Sequence, residues 1–149
     1  MRIAVRKIMM ASLGKALGLS GGIIASDKSF INAIKNETLF ISSSCANPGY
    51  LEAYLQSQNL IQEQRKKLKE NLAFLLDDFK PKSIFKFSKN YPVIYCDYDN
   101  LYSDLYLNDI IITNFKYPNY NGFMSRIVIT ANHSNEDLKK LKRVLLNYV

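Results

Sequence analysis

The sequence predicts an α/β fold that starts with part of a mostly parallel sheet, continues in one long helix and ends in a small α+β unit. Three observations predict it. Short apolar segments alternate with a helical pattern near the N-terminus, helical apolar spacing persists through the middle, and β-branched segments alternate with short helical patterns afterwards. The 149 residues, of which 48% are hydrophobic, allow one domain or one large and one partial unit. We expect boundaries at 1–46, 47–80 and 81–149.

The N-terminal segments read as strand, helix and strand. Apolar segments at 8–11 and 23–25 are typical of buried strands, and a glycine-rich stretch, 12–22, separates them. Asp27 is positioned to cap a short helix, and 39–41 is predicted as the next buried strand. This alternation favours a mostly parallel sheet.

The middle of the chain predicts one long helix. Asn47 followed by Pro48 is a typical helix start, and leucines and aromatic residues keep helical spacing until Pro81. A basic cluster at 65–69 lies largely off the apolar stripe. Its ordinary interpretation is a solvated helix face paired with glutamates, and its alternative is a nucleic-acid patch.

The last third predicts short strands and helices. Ser134 with Asp137 three residues later is typical of a capping box that begins the final helix. The remaining predicted elements are strands at 91–96, 110–112 and 127–129 and a short helix around Leu101, Leu105 and Tyr106.

Composition excludes several kinds of site. Two cysteines, Cys45 and Cys96, and one histidine, His133, are too few for a disulfide framework or a Cys/His metal centre, so we expect reduced, packed thiols and a cytoplasmic setting. His133 is expected to orient the turn before the last helix.

Lys15 interrupts the N-terminal apolar stretch, so neither an export signal nor a membrane anchor is expected. The net charge of +7 is compatible with a nucleic-acid partner or a phosphorylated ligand, and it is equally compatible with a biased base composition of the source genome.

The glycine-rich stretch contains the strongest chemical candidate, Lys15. It matches neither a P-loop, since Met9 and Ala16 occupy required positions, nor a dinucleotide-binding turn. A lysine between two buried strands would lose solvation and gain a lowered pKa, which suits Schiff-base chemistry, with Ser12 beside it to bind an anionic group. The alternative is a solvent-exposed loop lysine.

Residues 12–18, Ser-Leu-Gly-Lys-Ala-Leu-Gly, followed by Gly21-Gly22, resemble the lysine loop of fold-type I pyridoxal-phosphate enzymes. The α-oxoamine synthases, which include 8-amino-7-oxononanoate synthase and 2-amino-3-ketobutyrate CoA ligase, are the most similar group. The resemblance implies that Lys15 forms the Schiff base with the cofactor and that Ser12 contacts its phosphate.

Two further segments agree with that resemblance. Residues 125–133, Ser-Arg-Ile-Val-Ile-Thr-Ala-Asn-His, are similar to the segment in which an arginine binds the substrate carboxylate, which implies this role for Arg126. The serines after Ile41 resemble a segment whose hydroxyl reaches the phosphate of a neighbouring subunit. Ser43 is the better match and Ser44 the next.

The resemblance implies a pyridoxal-phosphate-dependent transferase that condenses an amino acid with an acyl-thioester and releases carbon dioxide. It also implies a homodimer and no membrane partner. A class I/II aminotransferase is the nearest alternative, and a non-catalytic basic fragment that binds nucleic acid is the rival of another class. The chain departs from the family at Asn108-Asp109, where glycine is usual, and no aspartate precedes Lys15 to pair with the cofactor ring nitrogen. We therefore expect a C-terminal portion of such an enzyme, incomplete and inactive alone, with open strand edges and an uncovered apolar face.

Overall fold

The computed structural model describes residues 5–77, 79 and 84–148. The chain divides into two units, Met1–Asn59 and Leu60–Val149. The helices are α1 (Lys28–Lys35), α2 (Thr38–Ile41), α3 (Pro48–Gln56), α4 (Gln58–Leu76), α5 (Asp99–Leu107) and α6 (Asn135–Leu145). The strands are β1 (Met9–Ser12), β2 (Gly22–Ala25), β3 (Phe85–Phe87), β4 (Val93–Cys96), β5 (Thr113–Phe115) and β6 (Met124–Val128).

The first two strands form an antiparallel hairpin, so the prediction of a mostly parallel sheet is wrong for the described residues. Met9 pairs with Ala25 and Ser12 with Gly22. The backbone N–H of Leu13 donates to the carbonyl of Gly21 at 3.0 Å and closes the loop. A loop this short can reverse the chain, whereas a parallel pair needs a crossover of about a dozen residues or more.

The helix predicted after Asp27 is confirmed, but the strand predicted at 39–41 is wrong. The Asp27 carboxylate accepts a hydrogen bond from the backbone N–H of Phe30 at 2.9 Å and caps α1. Residues 39–41 belong to the short helix α2. Three consecutive apolar residues carry no periodicity that separates a strand from a helical turn.

The predicted long helix is interrupted once. Asn47 accepts from the backbone N–H of Gly49 at 2.8 Å and Pro48 occupies the first turn, as predicted. Ser57 then separates α3 from α4, while the Gln58 side-chain amide donates to the carbonyl of Tyr54 at 2.8 Å. Serine is a weaker helix former than the leucines around it, and side-chain bonds to the backbone compete with helical ones. The predicted end at Pro81 lies outside the described residues.

The second unit contains a four-stranded antiparallel sheet in the order β3-β4-β6-β5. Residues 110–112, predicted as a strand, are unpaired, and the strand begins at Thr113. Asp109 has φ 54°, and the backbone N–H of Ile110 returns to the carbonyl of Leu105 at 2.9 Å. These three isoleucines therefore belong to the connection after α5 and not to the sheet. The positive φ explains why glycine suits this position.

One face of this sheet and the helices α4, α5 and α6 enclose the core. Alternate β6 residues, Ser125 and Ile127, are buried on this face, while Arg126 lies on the opposite face. The predicted Ser134–Asp137 capping box of α6 is present. The core residues below 2% exposure are Leu75, Leu76, Ile94, Cys96, Leu101, Leu105, Ile129, Leu138 and Leu145.

The described residues of the first unit form no comparable core. Not one residue in the described range 5–59 is buried. Met10 is 73% exposed and Ile23 45%, so the expectation of an uncovered apolar face on these strands is confirmed. The apolar residues of this unit are available to pack against another surface.

Candidate functional site

The lysine loop connects β1 to β2. Within it the backbone N–H of Leu19 donates to the carbonyl of Leu13 at 3.0 Å, and Gly18 has φ 64°. The Ser12 hydroxyl oxygen accepts a hydrogen bond from the backbone N–H of Gly14 at 3.3 Å, which leaves the hydroxyl proton free to be donated. The loop thus presents one hydroxyl donor beside Lys15.

Lys15 is exposed, and no hydrogen bond or ion pair joins it to a residue in the described part of the chain. The expectation that neighbouring strands desolvate it is therefore wrong for these residues, because both strands are themselves exposed. The solvent-exposed alternative holds here. The amine is sterically free to react with an aldehyde.

The loop contacts the segment that follows the predicted phosphate-binding serines. Gly21 has φ 116°, and a Cβ built on it would lie 3.0 Å from the Cβ of Ala46. Any side chain at position 21 would strain the backbone, and its Cβ would press against Ala46, which explains the glycine. The two segments therefore lie side by side within the first unit.

The two serines differ in their hydrogen bonds. Ser43 donates its hydroxyl proton to the carbonyl of Phe40 at 2.8 Å, whereas Ser44 makes no hydrogen bond to any residue that the structure describes. A phosphate needs donors, so Ser44 is available as it stands, while Ser43 would first exchange its present partner.

Arg126 lies in the second unit, in the centre of β6. Its direct cross-strand neighbours are Tyr95 on β4 and Thr113 on β5. Its guanidinium carbon lies 5.4 Å from the ring centroid of Phe115. The Nε atom is buried without a hydrogen-bond partner among the described residues. A buried N–H donor without an acceptor is costly, so this atom is a candidate for binding an anionic group.

A cavity of about 410 Å³ adjoins Arg126. The unpaired segment 110–112 and β6 form two of its walls, and α6 contributes Leu138 and Lys140. Lys140 Nζ lies 3.2 Å from Asp109 Oδ2 in an ion pair at this cavity. A mixed apolar and charged cavity of this size can hold a small organic anion.

His133 and the cysteines are not combined into a reactive set. The Nδ1 atom of His133 accepts from the backbone N–H of Thr130 at 3.1 Å, which confirms that His133 orients the turn before α6. Burial raises the pKa of the Cys96 thiol to about 11, so it is inert as a nucleophile. Cys45 is exposed, so the prediction that it is packed is wrong. Among the described residues no three His, Cys, Asp or Glu side chains are grouped to hold a metal.

The predicted basic cluster lies on the exposed surface of α4. Lys66 Nζ and Glu70 Oε1 are 3.9 Å apart, an ion pair at i,i+4 on this helix. This pairing is typical of the solvated helix face that the charge pattern predicts. In the described part of the chain, no helix combines the length and hydropathy that a membrane span requires.

Sequence reasoning missed Phe115, whose aromatic ring lies beside the Arg126 guanidinium. The sequence does indicate that Thr113 and Phe115 share one face of β5, because side chains alternate between the two faces of a strand. It does not indicate which strand pairs with β5.

The sequence profile of the family named aminotransferase class I and II matches residues 4–145. The chain belongs to that family. A provisionally named 8-amino-7-oxononanoate synthase of Thermodesulfovibrio yellowstonii is 26% identical over 148 residues, which cover 93% of this chain and 38% of the relative. A protein of the same provisional name from Methanococcus vannielii is 28% identical, over 90% of this chain and 39% of the relative. The chain thus spans less than half the length of these curated relatives.

Solved structures share the fold. 8-Amino-7-oxononanoate synthase from Francisella tularensis superimposes with a TM-score of 0.71 at 21% identity, over 94% of this chain and 44% of that one. A serine palmitoyltransferase variant from S. paucimobilis, solved with a bound PLP-myriocin aldimine, gives 0.74 at 13% identity, over 95% and 39%. The α/β arrangement with antiparallel sheets described above is therefore that of a known enzyme fold.

Proposed function

We propose that the chain contributes the lysine and the carboxylate-binding arginine to a pyridoxal-phosphate-dependent transferase of the α-oxoamine synthase type. The observation that carries the proposal is the family match over residues 4–145, which contains the Lys15 loop and the Arg126 segment in the order that the motifs require. Relatives that match over 90% or more of the chain carry names of this type. The whole enzyme's substrates would be an amino acid and an acyl-thioester, which condense with loss of carbon dioxide.

The residues of the first unit fit the cofactor's reactive groups. When bound, pyridoxal phosphate supplies an aldehyde that bonds covalently to amines and a ring that withdraws electrons from the substrate Cα. Lys15 offers an amine without a competing partner among the described residues. Ser12 offers a hydroxyl proton, since its oxygen already accepts from Gly14.

Each residue has a distinct role in the proposal. Lys15 would hold the cofactor through its amine, and the same amine would remove and return the proton at the substrate Cα. Ser12 donates to the phosphate within the subunit. Ser43 or Ser44 donates to the phosphate of a neighbouring subunit in a homodimer, with Ser44 favoured by its free hydroxyl proton.

Arg126 binds the substrate carboxylate. A guanidinium presents a planar pair of donors that match the two carboxylate oxygens. The buried, unpartnered Nε supports this role, because a carboxylate would supply the acceptor that the described residues do not.

Trapping the cofactor tests the role of Lys15. The full chain is mixed with pyridoxal phosphate and reduced with borohydride, and the modified lysine is located by peptide mass spectrometry. We expect labelling concentrated at Lys15 and lost in Lys15→Arg, with Lys28→Arg as the matched exposed control. Equal labelling of the exposed lysines contradicts the proposal.

The class I/II aminotransferase remains the second candidate because the matched family carries that name. The two reactions differ in the fate of the substrate carboxyl carbon. A carboxyl-labelled amino acid supplied with an acyl-thioester releases labelled carbon dioxide only in the condensation. Transfer of the amino group to an oxo acid with the label retained would favour the aminotransferase.

A further inference from the structure

Arg126 is held by an aromatic ring rather than by an acid. Its guanidinium carbon is 5.4 Å from the Phe115 ring centroid, and within the described residues it forms no ion pair with a carboxylate. Its Nε is shielded from solvent and has no hydrogen-bond partner there. This combination is unusual, because a partly desolvated charge normally acquires an acidic partner.

The sheet register explains the contact. Thr113 pairs with Arg126, and Phe115 pairs with Met124 two residues away, so Phe115 and Arg126 are diagonal neighbours on one sheet face. Diagonal neighbours lie about 7–8 Å apart at Cα, within the reach of an aromatic and a long side chain. Tyr117, two residues further along the chain, packs against this ring, and the centroids of the two rings are 4.5 Å apart.

An aromatic face stabilises a guanidinium without using its hydrogen-bond donors. The negative face of the ring attracts the positive charge, and the attraction is stronger when the pair is desolvated. A carboxylate from the protein would stabilise the charge too, but it would occupy the donors that a ligand needs. Phe115 therefore fixes the arginine and leaves its donors free.

We propose that Phe115, supported by Tyr117, is a positioning residue that orients and partly desolvates Arg126 for an incoming carboxylate. The proposal rests on the carboxylate-binding role of Arg126 given above. An arginine held in one orientation loses less conformational freedom when its ligand binds, so the ring strengthens carboxylate binding without touching the ligand.

The experiment observes Arg126 directly in the full chain. The Nε–H signal is recorded in ¹⁵N-labelled protein, identified by its loss in Arg126→Lys, and followed during titration with acetate at constant ionic strength. Its exchange with water is measured in the same samples, with exposed Arg65 as an internal reference.

Three variants separate the effect of the ring from that of bulk. Phe115→Leu removes the aromatic face, Phe115→Tyr keeps it, and Phe123→Leu removes an exposed aromatic residue that forms no described contact with Arg126. We expect Phe115→Leu to weaken acetate binding about fivefold, from the cost of ordering a free arginine side chain on binding, and to speed Nε–H exchange. Phe115→Tyr and Phe123→Leu should bind acetate within about twofold of the unsubstituted chain. Should Phe115→Leu fail to fold, Phe115→Met replaces it.

The outcomes distinguish this proposal from the proposed function. Folded Phe115→Leu that binds acetate with unchanged affinity overturns the positioning role. An Arg126 signal that does not respond to acetate in the unsubstituted chain overturns the carboxylate role itself. If that signal does not respond, the exchange of Nε–H with water still tests the ring. Unchanged exchange in Phe115→Leu overturns the claim that the ring holds Arg126, and faster exchange supports that claim.

Discussion

Residues 60–148 contain a closed apolar core, whereas none of the described residues 5–59 is buried. Both units nevertheless have regular elements with well-formed caps: Asp27 caps α1 in the first unit and Ser134 caps α6 in the second. The comparison separates two requirements of folding. Local hydrogen bonds determine where a helix begins, but only packing between elements removes apolar side chains from water.

The proposed chemistry is divided between the two units. Arg126 belongs to the second unit, which has a core. The described residues of the first unit form none, and they include Lys15, Ser12, Ser43 and Ser44. Lys15 lies on an exposed loop, and an exposed loop does not by itself hold a reacting group in a fixed place.

Hydrogen exchange should show the largest difference between the units. We expect the amides of β1 and β2 to exchange at least about a hundredfold faster than those of β4 and β6, because elements with few buried contacts open locally while core strands open only on global unfolding. The measurement is residue-resolved exchange in the full chain. Equal protection would mean that the hairpin is covered, and repeating the measurement after dilution would reveal whether self-association covers it.

Truncating one leucine in each unit should reproduce the contrast in stability. Leu75 is 0% exposed and Leu55 is 63% exposed. We expect Leu75→Ala to lower the free energy of unfolding by about 2–5 kcal/mol and Leu55→Ala by no more than about 0.5 kcal/mol. Urea unfolding followed by circular dichroism measures both. A large loss in Leu55→Ala would contradict the assignment of that side chain to the surface.

Asn71 joins α4 to the turn before α6 and is one of the polar residues in the second unit's core. It is 5% exposed, and its Nδ2 donates to the carbonyls of Thr130 at 2.9 Å and His133 at 3.3 Å. We expect Asn71→Ala to cost about 1–3 kcal/mol of unfolding free energy, because both acceptors lose their donor. Asn132→Ala, which truncates an exposed asparagine in the same turn, is the control and should be nearly neutral.

The smallest predicted effect is a pH dependence at the capping box of α6. Hydrogen bonds from the backbone N–H and then the hydroxyl of Ser134 lower the pKa of Asp137 below its usual 3.8. A lowered pKa in the folded state stabilises the protein above the unfolded-state pKa, and this contribution disappears as the pH falls through the folded-state value.

Asp137→Asn should therefore be less stable than the unsubstituted chain at neutral pH, and the two should converge in acid. Thermal unfolding across that pH range measures the difference. Glu136→Gln is the matched control on the same helical turn and should show no such convergence. A difference that persists unchanged in acid would contradict the linkage.

The residues proposed for the site could be named from the sequence because their motifs are contiguous. The residues around Lys15 and Arg126 lie in short stretches whose spacing is readable without a structure. Phe115 could not be predicted, since its contact with Arg126 depends on which strands pair and in which register. The exposure of Lys15 was likewise beyond the sequence, because solvation depends on what the neighbouring strands pack against.

The sequence by itself determined the starts of α1, α3 and α6, because a capping side chain and the N–H groups it binds are only two or three residues apart. It did not determine the direction of the strands, the interruption at Ser57 or the helical state of 39–41. The direction of the strands was decided by their pairing in the tertiary structure, because register joins segments that are separate in sequence. The break at Ser57 and the helical turn at 39–41 are local, but one serine or three apolar residues carry too little periodicity to indicate them. Among the residues that the structure describes, the closed core lies in the second unit because a side chain is buried only where two surfaces meet, and no single segment of sequence encodes that meeting.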